Sequence, residues 1–172
     1  MKLSILITLL NEELVLSQTH KAISEQLESM ILSKQLSDYE ILYIDDGSSD
    51  STLELINAIA NENPRVKYIS FSRNFGRESG ILAGFKYATG DAVMVMDGDL
   101  QHPPYLIPLF VDAYKEGYDI VSGQRSREGE SFVGSFFARS FYKFSNHSMD
   151  VKLTDGKSEL RLLSKRAVDV FV

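Results

Sequence analysis

The hydrophobic positions fall into short runs separated by longer amphipathic stretches. Apolar runs at residues 3–9, 39–45, 66–70, 92–96 and 119–122 predict strands. The amphipathic stretches at 12–33, 51–61, 78–88 and 105–116 predict helices. Chain breakers sit where such helices should stop: Asn63-Pro64 follows the second, Thr89-Gly90 the third and Gly117 the fourth. Strands alternating with helices predict an α/β fold, with a mostly parallel sheet flanked by helices. In a doubly wound sheet of this kind, ligands bind beyond the carboxyl ends of the strands.

The apolar start, residues 3–10, is too short for a secretory leader, has no small-residue cleavage site and runs straight into Asn11-Glu12-Glu13. It reads as a buried strand. No stretch approaches the roughly 20 apolar residues of a membrane span, so the chain is not expected to cross a bilayer by itself. Residues 168–172 read as the interior of a helix. The expectation is one domain over 1–172, cut before C-terminal membrane segments.

Composition narrows the chemistry. A chain of 172 residues, 44% hydrophobic and 24% charged, can bury a substantial core. The absence of cysteine excludes a disulfide framework and thiolate metal sites, and fits a reducing compartment. Three histidines leave little room for a histidine-rich metal centre. Charge is uneven: residues 1–120 carry 9 basic and 18 acidic side chains, and residues 121–172 carry 9 basic and 6 acidic. An acidic body with a basic later section suits anionic groups handled late in the chain, phosphates or lipid headgroups; ordinary surface scatter gives the same count.

The unusual polar residues gather at predicted strand ends. The second strand runs into Asp45-Asp46-Gly47-Ser48-Ser49-Asp50, the fourth into Asp97-Gly98-Asp99-Leu100-Gln101-His102-Pro103-Pro104, and the fifth into Gly123-Gln124-Arg125-Ser126-Arg127. Three polar clusters from separate strands would converge on one rim. Asp97 and Asp99, straddling a glycine, can face one hard cation, Mg2+ or Mn2+, whose other ligands come from water and substrate phosphates. Gly98 would let the backbone turn closely, and Gln101 or His102 could add a ligand. A surface turn with a helix-capping aspartate accounts for the same triplet. Asp45 and Asp46 crowd two like charges at a buried strand end, which costs free energy unless a hydrogen-bonding or positive group offsets it. A nucleobase NH, a ribose hydroxyl or the metal could do so. Asp50 is expected mainly to cap the following helix, and Asp46 mainly to meet a nucleotide.

These stretches, with Asn11-Glu12-Glu13, Ser72-Arg73-Asn74-Phe75-Gly76 and Glu130-Ser131, resemble the family 2 glycosyltransferases of the GT-A fold, a Rossmann-like α/β architecture. The similarity is specifically to the polyprenyl-phosphate sugar transferases, among them dolichyl-phosphate mannosyltransferase and the bactoprenol glucosyltransferases. It covers essentially the whole chain in order, and Asp-Gly-Asp-Leu-Gln-His-Pro-Pro is its most specific block. The resemblance implies an inverting, metal-dependent transferase at the cytoplasmic membrane face of the cell envelope, using a nucleotide-diphosphate sugar, UDP-glucose first, and a polyprenyl phosphate acceptor. It implies that Asp46 contacts the base, with Glu13 or its neighbours in the same pocket. Asp97, Asp99 and Gln101 would surround the metal and donor diphosphate, and Arg125 would meet phosphate. Arg73 is left without a role. Nucleic acid is not an expected partner, and self-association stays open.

Two departures matter. The family usually has a proline and an aromatic before the first Asn-Glu, where this chain has Thr8 and Leu10. Near the end the family shows Gly-Asp-Phe-Arg-Leu, its aspartate linked to acceptor activation; this chain reads Ser158-Glu159-Leu160-Arg161-Leu162. Arg161 matches, and Glu159 keeps a carboxylate on a longer stem. A phosphate monoester is largely ionised at neutral pH, so Glu159 is read as orienting the acceptor, with Arg125, Arg127 and Arg161 relieving charge repulsion.

Residues 132–144 hold Phe132, Phe136, Phe137, Phe141, Tyr142 and Phe144, with Arg139 and Lys143 interleaved. On a helix this gives an aromatic face flanked by cations, fit for a membrane interface or, as aromatic stripes more often are, for a core. Rival readings are a haloacid-type phosphatase, which expects its Asp-x-Asp near the start of the fold, and a sugar-nucleotide-binding module without turnover. A polysaccharide-building transferase is the nearest alternative; such relatives commonly carry Gln-x-x-Arg-Trp, and this chain has no tryptophan.

Overall fold

The computed structural model describes residues 1–99, 102–124 and 157–172, the side chains of 124 and 157–159 excepted. Two compact units divide the chain, 1–121 with 160–172, and 122–159. The second falls mostly outside the described residues.

The elements run β1 (Lys2–Leu9), α1 (Leu16–Leu32), β2 (Asp38–Asp45), α2 (Thr52–Glu62), β3 (Val66–Ser70), α3 (Arg77–Tyr87), β4 (Ala92–Asp97), α4 (Leu106–Lys115), β5 (Ile120–Gln124), β6 (Lys157–Ser164) and a single helical turn, α5 (Lys165–Val168). The strands form one six-stranded sheet in the order β3-β2-β1-β4-β6-β5. β1 is parallel to β2 and β4, β2 is parallel to β3, and β6 runs antiparallel to β4. The expected α/β fold with a mostly parallel sheet is the one observed. The strand β6 was not expected, and the helix read through 168–172 ends at Val168.

Helices cover both faces, which explains why the strands read as continuous apolar runs. On one face Leu3, Ile5, Ile7, Ile41, Tyr43 and Met94 pack against Leu16, Ile23 and Leu27 of α1, Ile56 of α2 and Phe110 of α4. On the other, Leu6, Leu42, Ile44 and Val95 meet Phe85 of α3, Leu163 and Val168. The helix α3 lies close to the sheet because Gly84 faces Leu6: a Cβ added there would stand 2.0 Å from Leu6 Cδ1. Among the described residues, no helix is long and apolar enough to cross a membrane.

At the amino ends of the strands a buried carboxylate ties three elements together. Glu40, 2% exposed, accepts from Ser4 Oγ (2.7 Å), Lys67 Nζ (2.8 Å) and the Thr89 backbone N–H (2.6 Å). Burial alone would raise its pKa, but the bonds from Lys67, Ser4 and Thr89 together outweigh it and lower the value to about 2. A carboxylate held below its unfolded value adds stability above the unfolded pKa, and that stability is lost as pH falls through the folded one. Glu40→Gln is therefore expected to cost about 2–3 kcal/mol at pH 7, shrinking towards zero between pH 4.5 and 2. Urea denaturation across that range measures both the loss and its disappearance.

Candidate active site

The parallel register brings the strand ends level. Leu9 lies across from Asp45, Thr8 from Asp97, and Asp45 from Ser70. The loops after β1, β2, β3 and β4 therefore leave the sheet at one rim. A cleft of about 280 Å3 opens among them, lined by Glu12, Asp46, Asn74, Arg77, Asp97 and Asp99 with residues of the neighbouring backbone. That volume approaches the lower bound, about 300 Å3, of small-molecule pockets.

Two adjacent buried carboxylates persist here because every oxygen accepts a hydrogen bond. Asp45 Oδ1 takes the Ser48 N–H (3.2 Å) and Oδ2 the Ser70 hydroxyl (3.0 Å). Asp46 Oδ1 takes the Phe75 N–H (2.7 Å) and Oδ2 the Gly76 N–H (3.0 Å). The offset expected from a ligand thus comes from the protein's own loops, and Asp46 ties the Asn74–Gly76 wall to the strand end while lining the cleft. Gly47 permits this, since its φ is +75° and a Cβ there would stand 2.5 Å from the Arg73 carbonyl carbon.

The segment Asn11-Glu12-Glu13 interlocks with the loop before α2. Asn11, at φ 57°, accepts the Ser49 N–H on Oδ1 (2.8 Å), and its own N–H reaches Ser48 Oγ (3.0 Å). The Glu12 N–H goes to Thr52 Oγ1 (2.8 Å) and the Glu13 N–H to Asp50 Oδ2 (3.2 Å). Asp50 Oδ1 also takes the Thr52 N–H at 3.0 Å, but the N-cap of α2 is Ser51, which makes no side-chain capping bond, so Asp50 braces the turn before the helix and does not cap it as expected. These bonds divert the backbone of residues 11–13 from the helix predicted to begin at 12, and α1 starts at Leu16 instead. Of Glu13 and its neighbours, Glu12 stands at the cleft wall, while Glu13 Oε2 accepts the Ser51 N–H (2.9 Å).

At the end of β4, Arg77 reaches Asp97 Oδ1 with Nε (3.2 Å) and Nη2 (2.8 Å), and His102 Nδ1 lies 3.3 Å from Asp97 Oδ2. Thr19, buried in α1, donates its hydroxyl to the Gly98 carbonyl (2.8 Å) and pins the loop between the two aspartates. Gly98 serves packing more than turning: its φ is not positive, and a Cβ would stand 2.3 Å from Leu9 Cδ2. Arg77 escaped the sequence reading. A cation in the first turn of a helix opposes the helix dipole, and that misfit was the available signal for a carboxylate partner. Arg73, left without a role, lays its guanidinium 4.6 Å from the centre of the Phe75 ring.

Asp46, Asp97 and Asp99 thus share one cleft, as their positions at strand ends implied. Gln101, Arg125, Arg127, residues 132–144 and the side chain of Glu159 lie outside the described residues. Arg161 is exposed on β6, across from Val95 of β4.

Burial first, then the charges of Asp99 and Asp50, raise the Glu12 carboxyl above its ordinary pKa. A cation would relieve such an excess of negative charge. Among the described residues no three His, Cys, Asp or Glu side chains group to enclose an ion. Asp97 and Asp99 fit the sparser arrangement in which one or two carboxylates hold Mg2+ or Mn2+ and water and phosphate oxygens complete the shell.

Residues 4–171 match the family described as Glycosyl transferase family 2. The chain belongs to that family. This family 2 chain is 46% identical over 170 residues to the putative glycosyltransferase CsbB of Bacillus subtilis, covering 99% of this chain and 50% of that protein. It is 36% identical to the prophage bactoprenol glucosyl transferase homolog of Escherichia coli, covering 98% of this chain and 54% of the relative. The chain therefore spans about half the length of the curated relatives it matches. Its fold is that of the GT-A glycosyltransferases. It superposes on the mannosyltransferase PcManGT of Pyrobaculum calidifontis, solved with GDP-Man and Mn2+, with a TM-score of 0.66 at 16% identity, over 98% of this chain and 46% of that one. Glucosyl-3-phosphoglycerate synthase of Mycobacterium tuberculosis, solved with Mn2+, UDP-glucose and phosphoglyceric acid, gives 0.62 at 20% identity over 96% and 57%. The phosphatase reading fails with this match, since the aspartate pair of this family 2 chain follows its fourth strand.

Gly47→Ala is expected to lower the stability of the chain by about 2–4 kcal/mol, because it adds strain at positive φ to a clash with backbone. Equilibrium urea unfolding checks it. Gly117→Ala is the control: it shares the positive φ (+101°) but meets nothing within 4 Å, and is expected to cost about 1 kcal/mol.

Proposed function

We propose that the chain is the catalytic domain of an inverting, metal-dependent glycosyltransferase. It moves glucose from UDP-glucose to a polyprenyl phosphate at the cytoplasmic membrane face. The observation that carries this reading is the shared cleft of Asp46, Asp97 and Asp99 at the carboxyl rim of the sheet. The acceptor is supported by 36% identity over 98% of the chain to proteins named bactoprenol glucosyl transferase. Support for the donor comes from those names and from a neighbour of the same fold that holds UDP-glucose with Mn2+.

A bound divalent cation would offset the charge gathering on the diphosphate as the bond to the sugar breaks. Asp97, Asp99 and Gln101 would hold it. Asp46 keeps the Phe75–Gly76 backbone in position at the nucleotide side of the cleft, and Glu12 takes the place foreseen for Glu13 or its neighbours. The acceptor oxygen is already largely ionised at neutral pH, so its main needs are position and neutralised repulsion. Arg125, Arg127 and Arg161 would supply both, with Glu159 orienting the phosphate. The aromatic and basic segment 132–144 would rest at the membrane interface. The other partners are the nucleotide sugar and the lipid, with no nucleic acid.

Transfer of label from radioactive UDP-glucose to a polyprenyl phosphate, extracted into organic solvent, tests the reading. Wild-type chain with Mn2+ is expected to label the lipid, a chelator to stop it, and Asp97→Asn or Asp99→Asn to lower the rate by about 10²–10³-fold. Metal-dependent UDP binding with no transfer to any lipid phosphate would leave a binding module instead. Within the active chain, Glu159→Gln is expected to keep nearly full turnover and Arg161→Ala to lose about 10²-fold. The reverse pattern would make Glu159 a general base.

A further inference from the structure

Arg77 and Asp97 form an ion pair inside the cleft, with side chains 30% and 24% exposed. Two guanidinium contacts, 3.2 Å from Nε and 2.8 Å from Nη2, fall on one oxygen, Oδ1. The other oxygen faces His102 Nδ1 at 3.3 Å. Asp97 therefore carries a counter-ion supplied by the protein. A divalent cation drawn to Asp97 and Asp99 competes with Arg77 for the same carboxylate, and two cations on one carboxylate repel each other. A diphosphate changes that balance, because its oxygens offer the guanidinium a second anion matched to its fork.

We propose that Arg77 makes metal binding and diphosphate binding interdependent. It guards Asp97 against metal alone and turns to phosphate when metal and nucleotide arrive together. The inference rests on the metal-diphosphate reading of this cleft. Because coupling between two ligands is reciprocal, UDP must tighten the metal by the same factor as the metal tightens UDP. Arg77 is thus a positioning residue whose effect is legible without turnover.

Mn2+ titration of the full chain tests this, with free Mn2+ followed by its electron paramagnetic resonance signal, alone and with saturating UDP or GDP. In the wild type, the nucleotide is expected to tighten Mn2+ by about tenfold or more. Arg77→Gln is expected to bind Mn2+ alone about tenfold tighter than the wild type and to lose most of the nucleotide's effect. Arg77→Lys, which keeps the charge but not the fork, should fall between, and it carries the test if the glutamine variant does not fold by circular dichroism. Variants that bind Mn2+ alone no more tightly than the wild type, with the nucleotide's effect intact, overturn the proposal and leave the metal-diphosphate reading standing. A wild type that binds Mn2+ equally with and without nucleotide also overturns it. A wild type that binds neither Mn2+ nor nucleotide brings down the reading beneath it as well.

Discussion

Parallel strands in level register deliver their carboxyl ends to one edge, and in this chain that edge is loaded with acid. Asp45 ends β2 and Asp46 follows it, Asp97 ends β4 with Asp99 two residues on, and Glu12 and Glu13 follow β1. Like charges crowded into a partly dry rim repel, and much of the local structure is a response to that. Backbone N–H groups of Ser48, Phe75 and Gly76 point at Asp45 and Asp46, those of Glu13 and Thr52 at Asp50, and that of Ser51 at Glu13. The loop conformations, including the positive φ at Asn11, Gly47 and Gly76, let those donors face inward. Remove the carboxylates and the loops lose their reason for this path.

The two ends of the sheet handle buried acid differently. At the amino end, Glu40 is closed off by a lysine, a hydroxyl and an amide, and its charge is neutralised in place. At the carboxyl end, the hydrogen bonds to Asp45 and Asp46 come from backbone N–H groups and a serine hydroxyl, and Arg77 contacts Asp97. Neutral donors stabilise carboxylates without cancelling their field. Glu12 registers that field in its raised pKa, after burial. That field is the feature on which the proposed cation site rests.

Much of this was legible in the sequence. Strand β3 matches its apolar run residue for residue, and β1, β2 and β4 do so to within a residue or two, because runs such as Ile5-Leu6-Ile7 and Val93-Met94-Val95 are buried on both faces and leave little ambiguity. β6 was missed because Lys157-Ser158-Glu159-Leu160-Arg161 interrupts its apolar positions; its place in the sheet between β4 and β5 makes a strand of it. The start of α1 was missed because amide bonds from residues 11–13 to Ser48, Thr52 and Asp50 are tertiary contacts, invisible to a helical period. In the site, acids at strand ends could be foreseen, but which of two neighbouring glutamates faces the cleft depended on Ser51 capturing Glu13.

Asp46 shows why a residue's place in a motif does not fix its contact. Both of its oxygens already accept backbone hydrogens, so a ligand would meet it only through lone pairs left over. Its larger influence runs through the loop it holds, since the same two bonds set where Asn74, Gly76 and the start of α3 stand. Arg77 opens that helix and grips Asp97, so the chain of constraint passes from the end of β2, through one loop, to the end of β4. The aspartates at the two strand ends are therefore mechanically joined before any ligand bridges them, and a change at one is felt at the other through backbone rather than through charge alone.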